Sequence, residues 1–302
     1  MKMTKLFILI YCLIVNVLFI NQPIQAQNQF EDAIKQLTGD NVKGYIQPFV
    51  TGMGANLNSG LYHSADISEM GLTVRIDLIG MGTLIGDAEK KYKAKNPFDG
   101  SEVETATLYG EQGAIVRLDS LAEYQFQNGQ IKASILPFFV PQLTIGDIFG
   151  TQAVIRYVPI PEIDKVPKIN IFGIGARHCV NRYLPVIPVN LSASIFYQSL
   201  SIGDLFEAST FSIGAQVSKS FAVLTLYGGL QYETISMDVS YDFAGQIPGV
   251  INKGEKISVS LNGENHFRGT AGLNLNLAIL NIFADINIGT ATVISGGIGF
   301  GF

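Results

Sequence analysis

Tryptophan is absent from this chain. Aromatic girdles at a membrane surface often use it, so any girdle here is built from the 12 Tyr and 19 Phe. Cysteine is nearly absent. Cys12 falls in the N-terminal apolar run, which leaves Cys179 alone in the rest of the chain. That excludes an intramolecular disulfide and a thiolate zinc cluster. Charge is scarce at 15%, and Lys and Arg (20) are outnumbered by Asp and Glu (25). A chain with net charge −5 is a poor nucleic-acid binder, because phosphate contact needs clustered Lys and Arg. After residue 26 there is no apolar run near the roughly 20 residues that a spanning helix needs.

One such run exists before it. Lys2 and Lys5 precede Leu6–Ile20, and Ile24-Gln25-Ala26 offers a small residue for cleavage. Residues 1–26 read as a secretory signal peptide. Its removal takes away two Lys and no acid, so the net charge moves from −5 to −7.

What remains is apolar (47% hydrophobic), rich in Gly (32 residues), and exported. In lipid every backbone polar group must be satisfied internally, so only helices and closed barrels cross. The C-terminal stretch shows which. Leu273, Leu275, Leu277 and Ile279 alternate with Asn274, Asn276 and Ala278. Ile282, Ala284, Ile286 and Ile288 then alternate with Asn281, Phe283, Asp285 and Asn287. Ile298, Phe300 and Phe302 alternate with Gly297, Gly299 and Gly301. Period-two alternation makes strands with one aliphatic face and one polar or glycine face. A transmembrane barrel turns the first to lipid and the second to a wet lumen.

The predicted architecture is all-β: a transmembrane antiparallel β-barrel of about 12 strands, within a range of 10 to 14, over residues 67–302. A helix is predicted over 28–41 from Phe30, Ala33, Ile34 and Leu37. Gly44, Pro48, Gly52, Gly54 and Gly60 make residues 42–66 a poor helix and a poor strand, fitted to a plug or a periplasmic segment. Strands are expected near 71–85, 103–110, 114–127, 130–138, 150–158, 168–178, 188–202, 206–218 and 221–237. Asn128-Gly129 is a hairpin signal, Pro137 and Pro141 break the pattern at 137–149, and short connectors are placed at Lys219-Ser220 and Leu280-Asn281. The charged stretch 86–102, with Lys90, Lys91, Lys93 and Lys95, reads as an outer loop able to meet anionic headgroups, as do 159–167 and 238–263 without that Lys run. Barrels of this class keep both termini on the periplasmic side.

Charges inside predicted strands must avoid lipid, where an Arg at mid-depth costs about 2–4 kcal/mol. Arg75, Asp77, Arg156, Arg177, Glu233, Arg268 and Asp285 are therefore assigned to the lumen, as a constriction, a headgroup site or a rigidifying ion-pair network. Tyr45, Ile46, Phe49, Val50, Met53 and Leu57 in the plug are candidates to line a greasy binding pocket. The histidines His63, His178 and His266 form no ligand motif, and no metal or other cofactor is expected. A Ser–His–Asn hydrolase would draw on the same residue types, but their spacing does not pick it out.

Residues 143–161 (LTIGDIFGTQAVIRYVPIP) and 173–200, with the run Gly173…Arg177-His178…Asn181-Arg182-Tyr183-Leu184-Pro185, resemble an outer-membrane barrel family of Bacteroidota whose function is unknown. That family is placed near the long-chain fatty-acid (FadL-like) transporter barrels. The resemblance implies a barrel closed by an N-terminal hatch, to which 28–66 would correspond. Asn56-Leu57-Asn58-Ser59-Gly60 stands where those transporters carry an Asn-Pro-Ala signature. The expected function is passive transport of hydrophobic or amphipathic small molecules, with no catalysis. A structural or docking barrel is the alternative, and a lipid-modifying enzyme a more distant one. The expected partners are outer-membrane lipid, a hydrophobic ligand, and the barrel-assembly machinery acting on the strand that ends at Phe302.

Overall fold

The structure, a computed structural model, describes residues 40–118, 122–163, 167–184, 186–242 and 256–301. The leader 1–26, the helical pattern at 28–39 and Phe302 lie outside the described residues.

The first described element is a helix, α1 (Asp40–Leu57), followed by an extended run to β1 (Met70–Leu84). Two small hairpins come next: β2 (Lys91–Lys95) with β3 (Glu102–Ala106), and β4 (Ile115–Leu118) with β5 (Ala122–Gln125). Then come β6 (Ile135–Ile148), β7 (Thr151–Ile160), β8 (Ile169–Cys179), β9 (Asn190–Ile202), β10 (Phe206–Phe221) and β11 (Leu224–Asp242). The last are β12 (Lys256–Asn262), β13 (Phe267–Leu277), β14 (Leu280–Ile288) and β15 (Val293–Gly301).

A ring of ten strands closes: β1, β6, β7, β8, β9, β10, β11, β13, β14 and β15, with β15 pairing back onto β1. All neighbours are antiparallel. The extra strand β12 pairs with the far half of β11, where Ser236 faces Asn262, while Tyr232 faces Phe267 of β13. Residues 233–235 thus stand against 263–266, one residue more. β12 and β13 are in effect one strand with a bulge between them.

The expected count of about twelve is corrected to ten. The stretches 103–110, 114–127 and 130–138 are not barrel strands up to residue 134. Strands β2 to β5 have four or five residues, whereas a spanning strand needs about 9–11. They also carry charge: Lys91 pairs with Glu104 at 2.7 Å and Lys93 with Glu102 at 3.0 Å. Asn128-Gly129 joins no hairpin, and its residues lie between β5 and β6.

Pro137 and Pro141 do not break β6. β7 pairs with β6 only from Gln142 onward, so residues 135–141 form a one-sided edge. Proline is tolerated there because a missing N–H on the open side removes no ladder bond. The connectors move too: they fall at 222–223 and 278–279, with Ala222 (φ 52) and Ala278 (φ 57) in the left-handed region.

The barrel has two unlike ends. The turns 149–150, 222–223 and 278–279 and the loop residues 180–184 and 186–189 share one end with Met70 and Gly301. The connecting residues 85–114 and 126–134, with 161–163, 167–168, 203–205 and 289–292, lie at the other.

The wall is inverted relative to a soluble protein. On β9, Ala193, Ile195 and Tyr197 face out, while Ser192, Ser194 and Gln198 are buried inside. On β10, Phe211, Ile213, Val217 and Phe221 are exposed, while Thr210, Ser212, Gln216 and Ser218 are buried. Phe211 to Phe221 is ten residues (221 − 211) along one strand. At about 3.4 Å per residue and a tilt of about 40°, that spans roughly 26 Å, the height of the apolar band of a membrane barrel. Lys219, lying 5.8 Å over the Phe221 ring, marks its lower edge.

Candidate functional site: the plugged lumen

Residues 40–57 are helical, against the expectation of neither helix nor strand over 42–66. Glycine and proline disfavour a free helix, but α1 lies inside the barrel, where contact outweighs propensity. A Cβ on Gly54 would come within 2.5 Å of Ile235, and one on Gly44 would strike the Tyr92 ring. The glycines let the helix approach the wall.

The helix runs from the loop end inward. Asn41 donates to Lys95 O (3.2 Å), and the Tyr45 hydroxyl donates to Asn128 O (2.8 Å). At the far end, Ser218 near the base of β10 accepts from the backbone N–H of Ala65 at 2.9 Å. The strand ends Met70 and Gly301 lie at the turn end, while α1 begins at the opposite mouth.

All six plug residues are buried: Tyr45, Ile46, Phe49, Val50, Met53 and Leu57. They pack against an apolar upper wall that includes Ile79, Val140, Phe206, Ile235 and Met237. Phe49 and Phe206 meet at 5.5 Å between ring centroids. The plug face and the wall together make a core of the kind found inside soluble domains.

Below this core the lumen is polar, and the wall grips the C-terminal end of α1. A helix leaves its last carbonyls unpaired and carries partial negative charge there. The last turn of α1 has no basic residue of its own. The wall supplies them. Arg156 Nη1 donates to Leu57 O (2.8 Å), and its Nη2 donates to Ser59 O (2.9 Å). Arg268 Nη2 donates to Ala55 O (2.8 Å). Gln198 donates to Leu57 O (2.6 Å) and Gln231 to Asn58 O (3.2 Å). Thr83 on β1 donates to Gly52 O (2.8 Å) and Asn56 donates to Leu136 O on β6 (2.8 Å).

The seven strand charges all turn inward, six buried and Arg75 nearly so. Five of them fall in three groups, and Arg156 and Arg177 stand outside these. Glu233 pairs with Arg268 at 2.8 Å and also accepts from Gln231 and Asn265. Asp285 accepts from Tyr227 (2.7 Å), Asn287 and Ser295. Asp77 accepts from Arg75 Nε at 3.1 Å and lies 4.0 Å from His63, whose ring stacks on Phe283 at 4.5 Å. Gly297 and Gly299 make room here: a Cβ on the first would press on Phe283 and on the second would strike Asp77. Arg177 donates to Ser64 O and to Gln152 Oε1 (3.0 Å). Among the described residues, Arg156 has no carboxylate in ion-pair range, and it donates to carbonyl and amide oxygens.

The other histidines lie apart. His178 contacts Thr151 Oγ1 and Tyr183 OH, each at 2.9 Å, at the turn end. His266 stacks with Tyr232 at 6.3 Å on the outer wall. Among the described residues, no three metal-ligating side chains gather. The sequence reading missed Gln142, Gln198 and Gln231, which complete the grip. Their inward phase on alternating strands was the available signal.

A family model spans residues 1–302. The chain belongs to DUF6588. This is a family of unknown function. No curated protein matches the sequence. Solved structures similar to this DUF6588 chain include Ail, the attachment invasion locus protein of Yersinia pestis, with TM-score 0.29, 11% identity, and coverage of 77% of this chain and 99% of that one. A loop-deletion mutant of OmpT, an outer membrane protein of Vibrio cholerae, gives TM-score 0.26, 9% identity, and coverage of 77% and 100%. The Ralstonia pickettii toluene transporter TbuX gives TM-score 0.25, 8% identity, and coverage of 79% and 91%. These scores are low, and the barrel assignment for the DUF6588 chain rests on its own strand pairing. The motif at 173–185 has a structural place in it: Asn181 bonds Val189 O (2.8 Å) and the Leu191 N–H, and Arg182 donates to Phe149 O (2.7 Å).

Proposed function

We propose that this protein is an outer-membrane barrel that passes hydrophobic or amphipathic small molecules when α1 shifts from its seat. The observation that carries the reading is the apolar upper lumen, where Tyr45, Ile46, Phe49 and Met53 meet apolar wall residues. An open porin lumen is polar and wet. An apolar ligand entering here would replace plug side chains in contacts of the same chemistry. The resemblance to hatch-closed fatty-acid transporters supports the same function. Export by cleavage after Ala26 and assembly through the strand that ends at Phe302 belong to this reading. It assigns no catalysis.

A second reading is a permanently closed barrel that serves as a structural or docking element. The grip of Arg156 and Arg268 on the end of α1 favours it.

A cross-link separates the two. A Cβ on Gly52 would lie 3.6 Å from Thr83 Cβ, within the span of a disulfide. In a Cys179→Ser background, Gly52→Cys/Thr83→Cys is reconstituted in liposomes with a fluorescent medium-chain fatty acid outside. Entry that stops on oxidation and returns on reduction is the expected result. Equal entry in both states overturns the gate, and no entry in either favours the closed barrel.

A further inference from the structure

One recess lies outside the lumen. It opens on the outer surface toward the loop end of β9, β10 and β11, with a volume of about 260 Å³. Tyr197, Ser199, Glu207, Ser209, Ser236 and Asp238 line it.

Strand register fixes its layout. Ser209 stands opposite Ser199 on one side and Ser236 on the other. Two residues toward the loop end, Glu207 stands opposite Ser201 and Asp238. Two residues the other way, Phe211 stands opposite Tyr197. Next comes Ile213 opposite Ile195, within the exposed apolar band. Along one strand the outer face therefore passes from aliphatic to aromatic to hydroxyl to carboxylate. The recess begins where the band ends, at the depth of lipid headgroups.

Among the described residues, no Lys or Arg lines the recess. Like charges directly opposed on a sheet are destabilising, so Glu207 beside Asp238 does not serve the β10–β11 pairing; Asp238 accepts from Ser260 on its other side, across to β12. Carboxylates accept hydrogen bonds from neighbouring hydroxyls of a ligand, and serines donate or accept. The Tyr197 ring offers a flat apolar face beside them. Acceptors, hydroxyls and an aromatic face in one shallow notch suit a sugar ring. The volume lies below the roughly 300–1,000 Å³ of drug-sized sites, which fits a single ring better than a larger ligand.

We propose that this recess holds a sugar of an outer-leaflet glycolipid, whose acyl chains run along the apolar band beneath. The proposal rests on the outer-membrane reading and not on the gate.

The test uses the full-length protein folded in detergent, with a heat-dependent shift in gel mobility as the fold check. Native mass spectrometry is run with rough lipopolysaccharide or with phosphatidylethanolamine, each with and without EDTA. One glycolipid adduct per barrel is expected, preferred over phosphatidylethanolamine and weakened about ten-fold by Glu207→Gln/Asp238→Asn and by Ser209→Phe. Equal binding of both lipids would show an unspecific belt and overturn the proposal. Binding abolished by EDTA would assign the carboxylates to a bridging divalent cation, and binding unchanged in both variants would place the lipid elsewhere. Either result overturns the sugar site. A wild-type band that does not shift on heating instead fails the barrel reading itself.

Discussion

Arg156 on β7 donates to the carbonyl oxygen of Leu57, the last residue of α1, at 2.8 Å. A wall residue thus provides the positive cap that the helix sequence lacks. The same guanidinium bonds Gln142 (2.9 Å), Gln198 (3.1 Å) and Ser59 O (2.9 Å), so one side chain ties three wall strands to the plug.

Arg156→Met should therefore lower stability by about 3 kcal/mol, because buried carbonyls lose charge-assisted donors. Urea titration of the folded fraction in detergent reads this. A loss below about 0.5 kcal/mol, the range of an unimportant surface change, would show that Arg156 does not hold the plug.

Glu233 and Arg268 form a buried pair at 2.8 Å. Glu233→Leu alone should cost about 3–5 kcal/mol, since it strands a buried guanidinium. Glu233→Leu/Arg268→Met should recover at least half of that. The same titration applied to both variants gives the comparison, and a double variant no better than the single one contradicts the account.

Gly54 touches Ile235. In a free helix Gly54→Ala would gain about 1 kcal/mol. Here the added methyl meets Ile235 at 2.5 Å, so a net loss of about 1–3 kcal/mol is expected. Ile235→Ala in the same chain should turn the effect of Gly54→Ala favourable. Additive behaviour in this double-mutant cycle would remove α1 from the wall contact.

Ile213 is half-exposed at the middle of the band. Ile213→Arg should cost about 2–4 kcal/mol in lipid vesicles. A surface facing water would take the same change within about 0.5 kcal/mol. Unfolding from vesicles distinguishes the two.

Lys43 is exposed at the start of α1, at the loop end, and Ala222 at the turn end. With Cys179→Ser, a Lys43→Cys chain should react with a membrane-impermeant maleimide on intact cells, and an Ala222→Cys chain only after lysis. The reverse pattern would invert the barrel.

The inverted wall was legible in the sequence. Runs such as 273–277 and 282–288 alternate with period two, and that alone fixes which residues share a face. It also put all seven strand charges on the inner face, because lipid excludes them. The strand number was not legible. Residues 102–106, 115–118 and 122–125 do form strands, but local pattern does not tell a spanning strand from a small hairpin at the rim. Nor did it reveal that Pro137 and Pro141 lie where β7 has already left β6. The helix α1 was the largest miss. Gly44, Pro48, Gly52 and Gly54 argue against a helix in isolation, and propensity is a property of the isolated segment. Only the closed ring brings Ile235 and Tyr92 against those glycines and brings Arg156 and Arg268 to the helix end. The sequence by itself determined the faces of the strands, because side-chain phase is local. The tertiary structure decided the plug, because its capping charges lie about a hundred residues or more away in the chain.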